Sequence, residues 1–341
     1  MAVTAPERTV VRPGPRITVS RGLLTITVAT VALFLASWLF ASTSVSKGAL
    51  LGMLPFAAVL AIISLGQTLV VQQGGIDLSV PGAVSLMVVI VSHEPNGDDS
   101  KLLGAVLLAL VVAIVAGLAN GILIGRLGLN PIVATLGMSA LLYAGVLGIS
   151  GGSPRRTTNL LADIAGGTTL GIPNSVYFAV AATVIVTVVV KLTAVGRRFE
   201  AVGASPPAAW TAGLHVVRHR AAAYVWAMVF YWLGGVLLAG ILAQPTAFQG
   251  DAYLLPSVAA VVLGGTSLLG GRGFLVATAV AALFLSQLQQ FVLALGVDTA
   301  VRSLVEAWAL AVGVALYSVD WRAIKQRLVN AAPAPSPGSS T

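Results

Sequence analysis

The sequence predicts an all-α polytopic membrane protein of about ten transmembrane helices, with short broken or re-entrant segments among them. Three observations carry that prediction. Of 341 residues, 57% are apolar and only 9% charged, against roughly 25% charged in ordinary soluble domains. The apolar residues gather into runs of about 20, the length at which a helix rising 1.5 Å per residue covers a hydrocarbon core roughly 30 Å thick. The basic residues concentrate in alternate loops between those runs, as the positive-inside rule requires.

In chain order the runs are 23–41, 50–71, 76–92, 102–125, 131–150, 174–195, 221–243, 252–270, 273–295 and 301–319. The first imitates a secretory leader but is long and has no compelling small-residue cleavage pattern, so it reads as the first membrane helix. Runs 76–92 and 252–270 are short or interrupted by glycine and proline. Non-helical backbone at membrane depth survives only when buried in protein or facing a wet cavity, so these two are the broken or re-entrant segments. With the amino terminus inside, 14 basic residues face the cytoplasm and 5 (Lys47, Lys101, Arg155, Arg156 and Arg302) face outward. Glu94, Asp98, Asp99, Asp163, Asp251 and Asp298 also lie on the outer side. An even number of spans then leaves both termini cytoplasmic, which divides the chain into a basic segment 1–21, a membrane domain 22–320 and a largely disordered tail 321–341 ending in APAPSPGSST. The net charge of +8 is thus a topology signal and does not point to nucleic acid.

Most polar groups inside the spans suit packing or a path for a hydroxylated neutral solute better than acid–base chemistry. In Gly74–Val80 (GGIDLSV), Asp77 and Ser79 follow a glycine pair. A lone Asp in lipid costs roughly 2.5–3.5 kcal/mol, so Asp77 must face protein, water or a membrane surface. It either lines a path at a helix break or caps the next helix together with Ser79, and both readings can hold together. Gly117, Gly121 and Gly125 place three bare positions on one helix face for close packing. Asn120 stands beside them, and Gln67, Thr135 and Tyr143 lie in other spans. Gln287 and Gln290 are three residues apart, and Arg302 and Glu306 have pairing distance on the last helix. Leu263–Gly273 (LGGTSLLGGRG) has five glycines but lacks the Gly-Lys-Ser/Thr ending of a nucleotide cradle, so it reads as a tight cytoplasmic hairpin anchored by Arg272. Zero cysteines exclude disulfides and thiolate sites, and the three histidines show no metal-ligand clustering. Neither a nucleophile triad nor paired carboxylates appears, so the chain is not read as an enzyme.

The long polar loop 196–220 (GRRFEAVGASPPAAWTAGLHVVRHR) stands out between apolar spans. Within it Ser205 is a helix cap, Pro206 and Pro207 suit a first turn, Ala208–Ala212 continue, and Gly213 ends the helix. An exposed, capped helix on the cytoplasmic side is a docking element for a soluble partner.

Four blocks in order, GGIDLSV at 74–80, NGILIGRLGLNPIVATLG at 120–137, GRRFEAVGASPPAAWTAG at 196–213 and GGTSLLGGRG at 264–273, resemble the permease subunits of bacterial ABC importers for ribose, xylose, galactose, autoinducer-2 and similar small sugars. The resemblance spans roughly residues 50–320. It implies that loop 196–220 couples to a separate ATPase subunit, with Glu200, Gly203, Ser205, Pro206, Ala208, Ala209 and Gly213 as coupling residues. The family pattern reads Gly-x-Asn-Pro-x-Ala-Ala. Here Gly203, Pro206, Ala208 and Ala209 keep their places, Ser205 replaces the asparagine, and Trp210 stands where a polar or basic residue is commoner. The resemblance further implies alternating access along a path with Gln67, Asp77, Ser79, Asn120, Thr135, Gln287 and Gln290. It also implies a second permease subunit and an extracytoplasmic sugar-binding protein touching loop 151–173. ATP and magnesium belong to the ATPase, with no cofactor on this chain. Location is the bacterial inner membrane. The alternatives are an ABC permease for nucleosides or branched-chain amino acids, or an ion-coupled secondary transporter, which would need inverted repeats and coupling-ion sites.

Overall fold

The computed structural model describes residues 21–298 together with Leu304, Ala307 and Trp308. The run 301–319, the pair Arg302 and Glu306, the terminal segment 1–20 and the tail 321–341 are sequence expectations that fall wholly or mostly outside the described residues.

The described chain is built of helices with one two-residue hairpin. The helices are α1 (Arg21–Phe40), α2 (Lys47–Gln72), α3 (Val80–His93), α4 (Leu102–Gly121), α5 (Pro131–Ser150), α6 (Asn159–Gly166), α7 (Asn174–Leu192), α8 (Ala194–Ala204), α9 (Pro206–Thr211), α10 (Val216–Leu242), α11 (Leu254–Leu263) and α12 (Leu275–Ala294). Strands β1 (Thr168–Thr169) and β2 (Ile172–Pro173) pair antiparallel. Among the described residues, seven helices are long and apolar enough to cross a bilayer, while Val80–His93 and Gln249–Leu263 are shorter apolar segments. Those two coincide with the runs read as broken.

The loops fall at two ends of the bundle. At the basic end the segment after α2 meets α8 and the α11–α12 turn, where the Gly271 amide donates to the Gln72 carbonyl at 2.8 Å. At the opposite end the Thr157 amide donates to the Ala243 carbonyl at 2.8 Å, and the Leu160 amide donates to Asp99 at 2.9 Å. There the segment 151–173, expected as an outer loop, carries a helix and a hairpin. Its turn has Leu170 and Gly171 both at positive φ. Nearby, the Ser100 hydroxyl and amide hold the Asp98 carboxyl below its ordinary range.

The middle of the bundle is α2, α3 and α10. Every residue of α3 from Val80 to Ser92 is buried, as are Ala57–Gln72 of α2. Lipid-facing leucines and valines of α4, α5 and α7 are exposed instead, since nothing drives them inward when the surroundings are as apolar as they are. The glycine ridge of α4 packs on α10. A Cβ at Gly117 would lie 2.7 Å from the Val225 Cα, at Gly121 2.8 Å from the Ala221 Cα, and at Gly125 3.1 Å from the Val217 carbonyl. Three glycines four apart thus meet three residues four apart on an antiparallel neighbour, backbone against backbone. Past Gly121, helix α4 loosens into a π-turn, Ile122–Arg126, and the Leu127 amide reaches the Ile122 carbonyl at 3.0 Å.

Gly104 lies on the same helix with open space around it, which makes a matched control. We expect Gly121→Leu to cost roughly 1–3 kcal/mol or more through overpacking. Gly104→Leu, which faces no neighbour, should leave thermal unfolding of the detergent-solubilised protein unchanged or improved.

Candidate functional site

Three assemblies hold the residues singled out by sequence. The first is a fully buried polar network where the chain breaks between α2 and α3. Asp77 accepts from the Ser79 amide at 2.9 Å and from the Ser79 hydroxyl, and Asn120 on α4 donates to the Ser79 hydroxyl at 3.3 Å. Asp77 therefore caps the turn, while the Ser79 side chain makes no capping bond to α3. Thr135 on α5 accepts from the Leu78 amide at 3.0 Å and donates to the Pro131 carbonyl at 2.7 Å. Gln67 on α2 accepts from the Tyr231 hydroxyl of α10 at 2.9 Å. Gln67, Asp77, Ser79, Asn120 and Thr135 are all 0% exposed, as is Gln287 elsewhere, so the structure draws six of the seven predicted path residues into the protein interior. Asp77 Oδ2, Asn120 Oδ1 and Gln67 Nε2 have no protein partner there.

The second assembly is an open cavity of about 730 Å³ entered from the opposite end. Its walls are the first half of α2, the end of α12 and the chain around Asp251, with Gln249, Asp251, Tyr253, Ser286, Gln289 and Gln290 as polar lining. The segment Gln249–Tyr253 is a 3-10 turn lying about halfway along the bundle. The Gly250 amide donates to Ser85 in mid-α3 at 2.9 Å, and the Tyr143 hydroxyl of mid-α5 donates to Asp251. Asp251, grouped by sequence with the outer acids, thus sits at mid-depth, and the crossing it begins is a 3-10 turn followed by the ten-residue α11. Gln290 lines the cavity, but Gln287 does not. The Gln287 amide is buried and donates to Ser37 of α1 at 2.9 Å.

Sequence reasoning missed Tyr231, Gln249, Tyr253 and Gln289. A signal existed for Gln289, which stands beside Gln290. None existed for Gln249, whose loop position hides the turn that carries it inward, and Tyr253 at the start of run 252–270 reads as an ordinary span residue.

The third assembly is the polar segment at the basic end. Thr193 caps α8 by accepting from the Gly196 amide at 3.2 Å, so residues 194–204 form a helix where the sequence had suggested only loop. Ser205 caps α9 by accepting from the Ala208 amide at 3.4 Å, Pro206 and Pro207 open that helix, and Gly213 takes φ +79° after it. Gly203 is buried against the Gln72 carbonyl, leaving no room for a Cβ, and Ala209 is buried as well. Glu200 pairs with Lys191 of α7, within the chain. Around α9 the segment exposes Ala204, Pro207, Ala208, Thr211, Ala212 and Gly213, with Trp210 73% exposed, and on α8 it exposes Arg197, Arg198 and Ala201. Gln73 ties the break to this segment, its amide donating to the Phe199 carbonyl at 2.9 Å.

The family model described as the branched-chain amino acid transport system permease component matches residues 49–316. A probable ABC transporter permease protein of Sinorhizobium fredii is 32% identical over 294 residues, 85% of this chain and 87% of that protein. A ribose import permease protein of Bacillus subtilis is 35% identical, over 78% of this chain and 84% of that one. An autoinducer 2 import system permease protein of Photorhabdus temperata is 28% identical, over 76% and 80%. No solved structure matches the chain at a significant level. The helix bundle with its broken crossings and the match across most of its length agree: the chain belongs to the family of branched-chain amino acid transport system permease components.

Proposed function

We propose that the chain is the transmembrane permease subunit of an ATP-driven ABC importer and forms the path for a small neutral sugar of the ribose class. The observation that carries the substrate class is the cavity at the opposite end. Among the described residues its polar lining is three glutamines, a tyrosine, a serine and one aspartate, with no Lys or Arg. Amide, hydroxyl and carboxylate groups meet a polyol's hydroxyls as both donors and acceptors. The described lining has no cationic side chain to meet the α-carboxylate of an amino acid, which favours sugars over branched-chain amino acids. The ribose import permease among the relatives supports the same class. Nucleosides remain the second reading within this transporter type.

In this reading the opposite end faces outward, both termini are cytoplasmic in a bacterial inner membrane, and a binding protein delivers sugar to the cavity mouth beside segment 151–173. Two permease subunits enclose the path. The α8–α9 segment docks on an ATPase, which supplies ATP and magnesium chemistry. Closure of paired ATPases moves α9, and α8 and Gln73 transmit that motion to the break at 73–79. Gln290 belongs to the cavity surface. Asp77, Ser79, Asn120, Gln67 and Thr135 keep the break folded beneath it, and Gln287 holds α12 to α1.

Reconstitution in liposomes with the ATPase and binding protein tests the whole reading. Uptake of labelled ribose-class sugars should require both ATP on the ATPase side and the binding protein. Uptake driven by an ion gradient without ATP would instead establish a secondary transporter. Pro206→Asp should leave the membrane domain folded and ATP hydrolysis active while abolishing uptake. Asp77→Ala and Gln290→Ala separate the two polar assemblies. Asp77→Ala should lower thermal stability by roughly 1–3 kcal/mol, because it orphans a buried amide. Gln290→Ala should leave stability unchanged and raise the solute concentration needed for half-maximal uptake.

A further inference from the structure

The polar segment is not alone at the basic end. The turn between α11 and α12 is packed against it, and three glycines at positive φ, Gly265, Gly270 and Gly271, give the turn a shape that other residues adopt only with strain. A Cβ at Gly270 would lie 2.8 Å from the Gly203 carbonyl, and one at Gly271 would lie 2.8 Å from the Ala204 Cα. Within the turn the Ser267 amide donates to the Arg272 carbonyl at 3.1 Å and the Gly270 amide to the Ser267 carbonyl at 3.1 Å. The whole turn is pinned to α2 by the Gly271 bond to Gln72. Ala204, which the turn touches, directly precedes the Ser205 cap of α9.

This tightly held turn presents apolar side chains outward. Leu269 is 94% exposed and Leu268 41%, while Trp210 on the adjoining α9 is 73% exposed. Isolated exposed leucines are ordinary. A leucine with almost its entire side chain outside a hydrogen-bonded turn, and an exposed tryptophan on the helix that begins just after Ala204, supply apolar anchors of the kind that concentrate binding energy.

Resting on the ABC permease reading, we propose that the ATPase docks on two elements rather than one. These are α9 and the Ser267–Gly271 turn, whose Leu269 enters an apolar slot of the ATPase. The occupant follows from continuity. The turn and the α8–α9 segment are joined through Gly203 and Ala204, so a soluble partner seated on α9 meets Leu269 as well. A partner that grips both elements moves α9 and the α11–α12 junction together. Since α11 leads from the turn to the Asp251 segment, the second contact gives the ATPase a route to the cavity floor that bypasses α8.

The chain has no cysteine, so single cysteines report burial directly. Leu269→Cys, Ala208→Cys on exposed α9 and Gly104→Cys on the distant α4 surface are labelled with a membrane-impermeant maleimide in nanodiscs, with and without bound ATPase. Both Leu269→Cys and Ala208→Cys should react readily alone and about tenfold more slowly in the complex, as burial removes thiol access, with Gly104→Cys unchanged by the ATPase. Protection of Ala208→Cys alone overturns the two-element docking and leaves the importer reading standing. A Leu269→Cys that is protected without ATPase marks burial in lipid and likewise overturns it. Protection of neither position overturns the ABC docking on which it rests.

Discussion

The structure turns on a stretch of chain that is not helical and yet lies buried in a bundle of membrane-spanning helices. Once the amides of Gln73, Gly74 and Gly75 have closed α2 on the Val70 and Val71 carbonyls, no intrahelical ladder satisfies the amides before Val80, and hydrocarbon offers nothing in its place. The missing partners come from three other parts of the chain and from Asp77 within the break. The Gln72 carbonyl accepts from Gly271, the Gln73 side chain donates to the Phe199 carbonyl, the Leu78 amide donates to Thr135, and the Ser79 amide donates to Asp77. The bonds to Gly271, Phe199 and Thr135 also fix the positions of the elements those residues belong to. The α5 start, the α8 segment and the α11–α12 turn are therefore located by one shared requirement.

Much of this was legible in the sequence wherever the relevant physics is local. A 20-residue apolar run declares itself, and so do Ser205 before two prolines and Gly213 after a short helix, since caps and turns are chemistry between near neighbours. The glycine ridge at 117, 121 and 125 was legible for the same reason, because helical periodicity alone puts the three on one face. Helix α10 shows the limit of counting apolar residues. It starts at Val216, ahead of the expected 221, because Arg218, His219 and Arg220 interrupt the hydropathy without interrupting the backbone hydrogen bonds. Helix α8 was hidden in the same way by its charged residues.

The site was less legible because its parts are far apart in the chain. The cavity joins Gly52–Leu60, Leu238, Gln249–Pro256 and Ser286–Leu293, and no local pattern says that these segments meet. Gln287 and Gln290 illustrate the remaining gap. Three residues apart, they are separated by about 60° around a helix of 3.6 residues per turn. That angle is small enough to share a face in a sequence reading, but large enough for one amide to bond α1 while the other lines a cavity. Likewise Asp77 was recognised as a polar group that must be satisfied, but Asn120, which holds the Ser79 hydroxyl beside it, comes from a helix about 40 residues away.

The close seam between α4 and α10 bears on how motion travels. Helix α10 has 27 residues and so runs about 40 Å, from the end of the docking segment to Leu238 in the cavity wall. Bare glycine against backbone gives it little freedom to bend or slide relative to α4, so the pair behaves as a stiff lever. A tilt of about 5° applied at His215 displaces the far end of such a rod by roughly 3.5 Å, more than the diameter of a water molecule. Modest rearrangements at one face of the protein can thus open or shut a passage at the other without any helix unfolding.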